Sequence, residues 1–114
     1  MASLDMSGPY DFDETNVKRM KEEIGNYALG HMTNEDKFRP EYVGRSDTNL
    51  RVELLVRLET HSKHSKFKAS VTTSAKLAFE KECKNYHEFK PSENKIHPDK
   101  PDDTELTCPY PQYH

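Results

Sequence analysis

Two periodicities alternate along this chain. Between residues 13 and 24, Val17, Met20 and Ile24 recur at helical spacing behind Asp13, a side chain able to cap a helix, with Glu14 in the first turn; the pattern predicts a helix over 13–24 that Gly25 ends. Residues 26–31 read as a short strand with Tyr27 and Leu29 on one side, and residues 41–45 as its antiparallel partner across a polar loop. Ser46, Asp47 and Thr48 offer capping oxygens for a helix over 49–60. Phe67, Ala69 and Val71 alternate with Lys68, Ser70 and Thr72, which predicts a half-buried strand, and Thr73 or Ser74 can cap a last helix ending near Phe89. The predicted order is helix, strand, strand, helix, strand, helix. It describes an α+β fold with a small antiparallel three-stranded sheet flanked by helices.

Both ends differ from this centre. Residues 1–12 contain Ser7-Gly8-Pro9 without periodicity and read as a flexible N-terminus, so the domain is expected over 13–90. Residues 91–114 form a proline-rich C-terminal extension, with Pro91, Pro98, Pro101, Pro109 and Pro111. A length of 114 residues with 32% apolar content suits one small domain with a modest core. No stretch resembles a membrane span or a signal peptide, so the expected protein is soluble and cytoplasmic, with no membrane partner.

Net charge is -3, but it is unevenly spread. Residues 37–90 hold 12 Lys/Arg against 7 Asp/Glu, leaving 5 against 13 for the flanks. A basic centre fits a polyanionic partner, with acidic ends that compete with it or aid solubility; the same lysines also serve as an ordinary solvated surface.

Ionised side chains on apolar helix faces need a reason, because burying a charge is costly. At about 100° per residue, Arg57 and His61 fall on the face of Leu50, Leu54 and Leu58, with Glu53 beside them. Arg57 is thus either a phosphate clamp or a snorkelling side chain paired with Glu53 or Glu59. On the last helix Glu82 falls among Ala75, Ala78, Phe79 and Tyr86. Such a carboxylate suits a hard divalent cation, or a buried ion pair with Arg57 or a lysine.

Gly25-Asn26-Tyr27 and Tyr42-Val43-Gly44, followed by Arg57-Leu58 and His61 and then by Ser74, Ala78 and Glu82 at four-residue spacing, resemble the GIY-YIG nuclease family over residues 25–87. The resemblance implies a metal-dependent endonuclease on DNA, in preference to RNA; a domain this small has little surface for choosing a target, so a protein partner is expected to supply specificity. It implies that Tyr27 and Tyr42 are the motif tyrosines and Gly25 and Gly44 the motif glycines. Arg57 would contact the scissile phosphate, Glu82 would bind Mg²⁺ or Mn²⁺, and His61 matches a histidine common in such sites. A water deprotonated with help from Tyr27 or Tyr42, and from His61, would attack phosphorus.

The chain also departs from that pattern. Asn26 replaces the family's isoleucine, and 14 residues separate the tyrosines. The family's arginine follows the leucine by three residues, where Glu53 stands after Leu50; Arg57 lies one turn later, about 6 Å along the axis. If Glu53 takes the arginine's place, it repels phosphate, and the chain is a catalytically degenerate nucleic-acid-binding or protein-interaction module.

Cys83 and His87 stand one helical turn apart, followed by His97 and Cys108. These four suit a structural Zn²⁺ site tying the extension to the last helix, with His31 or His114 as substitutes. Two unconnected reduced cysteines, or a disulfide, are the other readings.

Overall fold

A computed structural model describes residues 4–102 and 104–109. Strand β1 (Ser7–Asp11) precedes a single helical turn, α1 (Glu14–Val17), and the hairpin β2 (Gly25–Met32) and β3 (Phe38–Ser46). Helix α2 (Leu50–Thr60), strand β4 (Lys66–Val71) and helix α3 (Ala75–Phe89) complete the chain of elements. The four strands form one antiparallel sheet in the order β1-β4-β2-β3. The architecture is α+β, with four strands where the sequence predicted three.

The additional strand is β1, in the segment expected to be a flexible N-terminus. Gly8 and Pro9 hide it from a search for alternation, and an edge strand tolerates both: the register shifts between Ser7 and Tyr10, at the glycine and proline. Tyr10 and Phe12 then pack at a tilt against Phe67, with ring centroids 5.5 and 5.6 Å from it.

Central strand β2 explains the three-layer arrangement, with the sheet between α2 and α3. On one face, Tyr27 and Leu29 join Phe12, Val17, Leu50, Leu54, Phe67 and Ala69 beneath α2. On the other, Ala28 and Val43 pack with Leu4, Tyr86 and Phe89 on the α3 side. Both helices begin on capping side chains: Asn49 accepts from the Val52 amide at 3.1 Å and Ser74 from the Leu77 amide at 3.1 Å. Ser46, expected as a cap for α2, accepts from the Asn49 amide at 2.8 Å and so turns the chain before the helix starts.

The helix predicted over 13–24 stops after one turn. Asp13 does cap it, accepting from the Asn16 amide at 2.8 Å. Beyond Val17, however, tertiary donors take the carbonyls that an extended helix would use or present: Met20 accepts from Arg51 Nε at 2.8 Å, Glu23 from the Leu50 amide at 2.8 Å and Ile24 from the Thr72 amide at 2.9 Å. Packing thereby overrides local periodicity.

The C-terminal extension lies along the outer edge of β3. Glu93 donates its amide to the Glu41 carbonyl at 2.9 Å, and the Asn94 side chain pairs with both backbone groups of Val43, at 2.7 and 2.9 Å. Pro91, Pro98 and Pro101 are buried. No helix among the described residues is long and apolar enough to cross a membrane.

Candidate functional site

Strand pairing sets the position of the first tyrosine. Tyr27 is in register with Gly44 on β3 and with Ala69 on β4, so its ring has small neighbours on both sides. A methyl group on Gly44 would run into the Tyr27 ring and hydroxyl, which gives this motif glycine a steric reason. Gly25 serves the fold rather than the site, since a methyl there would strike the Ser70 carbonyl and Leu50.

Tyr27, Tyr42, Gly44 and Glu82 line one open cleft of about 180 Å³ at the edge strand, together with Arg45, Asp47, Glu53 and Asp99. The second tyrosine ring lies 6.2 Å from the first. Arg57 stands on the α2 side: its Nε donates to Glu53 Oε2 at 3.0 Å and its guanidinium carbon lies 5.8 Å from the centre of the Tyr42 ring. His61 packs on the same tyrosine at 4.8 Å, and its Nδ1 lies 2.7 Å from Thr60 Oγ1. The structure thus brings Tyr27, Tyr42 and Glu82 to one cleft, whereas Arg57 and His61 do not line it and adjoin it only through Tyr42 and Glu53.

Two partners differ from expectation. The ion pair of Glu82 is with Arg45, neither Arg57 nor a lysine: Arg45 Nη1 donates to Glu82 Oε1 at 2.5 Å, while its Nε donates to Asp47 Oδ1 at 2.7 Å. The guanidinium also lies over Phe79, 5.1 Å from the ring centre. Arg45 has the same sequence signal that drew attention to Arg57, because it stands two positions after buried Val43 and therefore on an inward face of its strand. The other is Glu53, which projects into the cleft and accepts the Tyr27 hydroxyl at 2.8 Å.

These surroundings set the proton affinities. Burial pushes Glu82 up to about 7 although Arg45 pulls the other way. Burial and then the Glu53 carboxylate push the Tyr27 phenol well above its ordinary range, and burial also raises Tyr42 against the pull of Arg57. Neither tyrosine is therefore a ready phenolate base, contrary to what a simple deprotonating role requires. His61 is lowered by burial and by Arg57, which favours the neutral ring.

Glu82, Asp47, Asp99 and Glu53 give the cleft hard carboxylate oxygens of the kind Mg²⁺ or Mn²⁺ prefers, but Arg45 already engages one oxygen of Glu82 and both of Asp47. A second, softer donor set starts at Cys83, the residue after Glu82 on α3: Cys83, His97 and Cys108 have ligand atoms all within 4.8 Å of one another, and His87 adjoins His97 and Cys108. His31 is elsewhere, 3.0 Å from Glu41, and His114 lies outside the described residues. Among known proteins, no family model, no curated protein and no solved structure matches this chain.

Proposed function

We propose that this chain is a metal-dependent phosphodiesterase acting on nucleic acid, DNA before RNA, in the manner of the GIY-YIG nucleases it resembles. The supporting observation is the convergence of Tyr27, Tyr42, Arg45 and Glu82 on one cleft, with Arg57 and His61 against Tyr42. Glu82, with Asp47 and Asp99 beside it, would hold Mg²⁺ or Mn²⁺, which when bound supplies positive charge to a phosphate oxygen.

The protein's own groups account for proton movement without a phenolate. The Tyr27 hydroxyl donates to Glu53 Oε2 at 2.8 Å, so it can take a proton from an attacking water while passing its own to Glu53. Phosphorus gains the water oxygen, the ester bond breaks and the departing oxygen is reprotonated from solvent. Arg57, held by Glu53, and Arg45, held by Asp47 and Glu82, place fixed positive charge around the reacting phosphate.

Supercoiled plasmid, linear duplex and single-stranded DNA and RNA, each with Mg²⁺ and with Mn²⁺, form the direct test. Cleavage that disappears in Glu82→Ala is expected, with large losses in Arg45→Ala and Arg57→Ala. No cleavage on any substrate with either metal overturns the enzymatic reading.

A second reading has its own support in Glu53 facing the cleft and Arg45 already neutralising Glu82. In it, the same cleft belongs to a binding module without chemistry. Nucleic-acid binding with steep salt dependence, unchanged in Glu82→Ala and never accompanied by cleavage, would select it.

A further inference from the structure

The geometry points to a structural zinc site formed by Cys83 and His87 of α3 with His97 and Cys108 of the C-terminal extension. This inference is independent of the nuclease reading. Cys83 and His87 are one turn apart on one helix, so their side chains leave the same face. The extension then folds back to bring two more soft or borderline donors to that face. His87 Nε2 lies 3.1 Å from His97 Nε2 and 3.4 Å from Cys108 Sγ.

Those separations are close to two edges of a coordination tetrahedron, and Cys83 joins through ligand atoms of Cys83, His97 and Cys108 that lie within 4.8 Å of one another. With Zn–S near ~2.3 Å and Zn–N near ~2.0 Å, the N···N edge is about 3.3 Å and the N···S edge about 3.5 Å. The orientation of His97 agrees. Its Nδ1 lies 2.8 Å from the Pro98 carbonyl, an acceptor only, so Nδ1 carries the proton and Nε2, 3.1 Å from His87 Nε2, presents its lone pair on the side of His87. A hydrogen bond from the other ring nitrogen commonly fixes a metal-binding histidine in this way.

The extension also has a use for such a clamp. Its Ile96 is 80% exposed, and burial of prolines is its main apolar contribution. A metal held by two thiolates and two neutral imidazoles would fasten this polar segment to α3, the thiol protons being released to solvent on binding. Because Asp99 lines the cleft two residues after His97, the clamp would also fix one wall of that cleft.

Full-length protein purified with a phosphine reductant is expected to contain about one equivalent of zinc per chain by elemental analysis. Replacement by Co²⁺ should give the intense visible bands of a tetrahedral ion together with thiolate charge transfer. Cys108→Ser and His97→Ala, both in the extension and away from the core, should each weaken zinc retention by more than about tenfold in a chelator competition. His97→Cys should keep the tetrahedral cobalt bands and strengthen the charge transfer. Zinc-free reduced protein that gives only the weak spectrum of octahedral cobalt overturns the site. So does zinc retention unaffected by both extension variants.

Discussion

Arg45, at the end of the edge strand, donates to Glu82 on α3 at 2.5 Å, yet the carboxyl group still favours its proton. Burial outweighs the attraction, and it holds Glu82 near a value of about 7 against an ordinary 4.5. A carboxyl whose folded value is raised leaves stability undiminished below the unfolded value and erodes it as pH rises through the folded one. Wild type should therefore lose about 3 kcal/mol relative to Glu82→Gln between pH 4.5 and 8, the pull of Arg45 being already contained in the raised value. Urea unfolding of both proteins across that range checks it. A constant difference would show that Glu82 is ionised throughout.

Gly44→Ala tests the fit of the first tyrosine. The added methyl meets the Tyr27 ring, which is fully buried between β3 and β4 and has no space to retreat. Overpacking should destabilise the fold by about 2–3 kcal/mol, read as a lower urea midpoint at unchanged slope. An unaltered midpoint would mean that the ring moves freely.

Tyr27→Phe separates the relay from a phenolate base. Loss of the hydroxyl should cost about 1 kcal/mol of stability, since Glu53 keeps Arg57 as a partner. On the proposed function it should lower cleavage about a hundredfold, and Glu53→Gln should do the same. Wild-type cleavage should show no added rise toward the ordinary phenol range, because burial and Glu53 hold the proton on Tyr27. A rate that climbs there, or Glu53→Gln with full activity, excludes the relay.

Much of this arrangement is legible in the sequence where one rule dominates. The alternation of Phe67, Ala69 and Val71, the capping oxygen of Ser74 and the apolar face around Glu82 all act over a few residues, and the elements they predict are present, although α2 starts on Asn49 and not on Ser46, Asp47 or Thr48. What escapes is decided by distant partners. Residues 18–24 carry a helical pattern but give their carbonyls to Arg51, Leu50 and Thr72, while Ser7–Asp11 becomes a strand because β4 offers an edge. Arg45 and Glu53 belong to the site for the same reason: their roles depend on Glu82 and Tyr27, which are distant in the chain.

Asn94→Ala should weaken the docking of the extension. Its side chain satisfies both the N–H and the carbonyl of Val43, so removal leaves two main-chain groups of an edge strand without that partner. A loss of about 1–2 kcal/mol is expected, with faster amide exchange at Val43 in wild-type conditions. Unchanged protection at that amide would place the extension off the sheet.

The side-chain amide of Asn94 behaves as a borrowed strand one residue long, occupying the margin where another polypeptide would otherwise zip on. Trimming the chain after Phe89 would uncover that margin, and its nearest taker in a concentrated solution is a sister molecule. Whatever chemistry the cleft performs, the polar extension closes off this margin of the sheet, while β1, with its glycine and proline, forms the other.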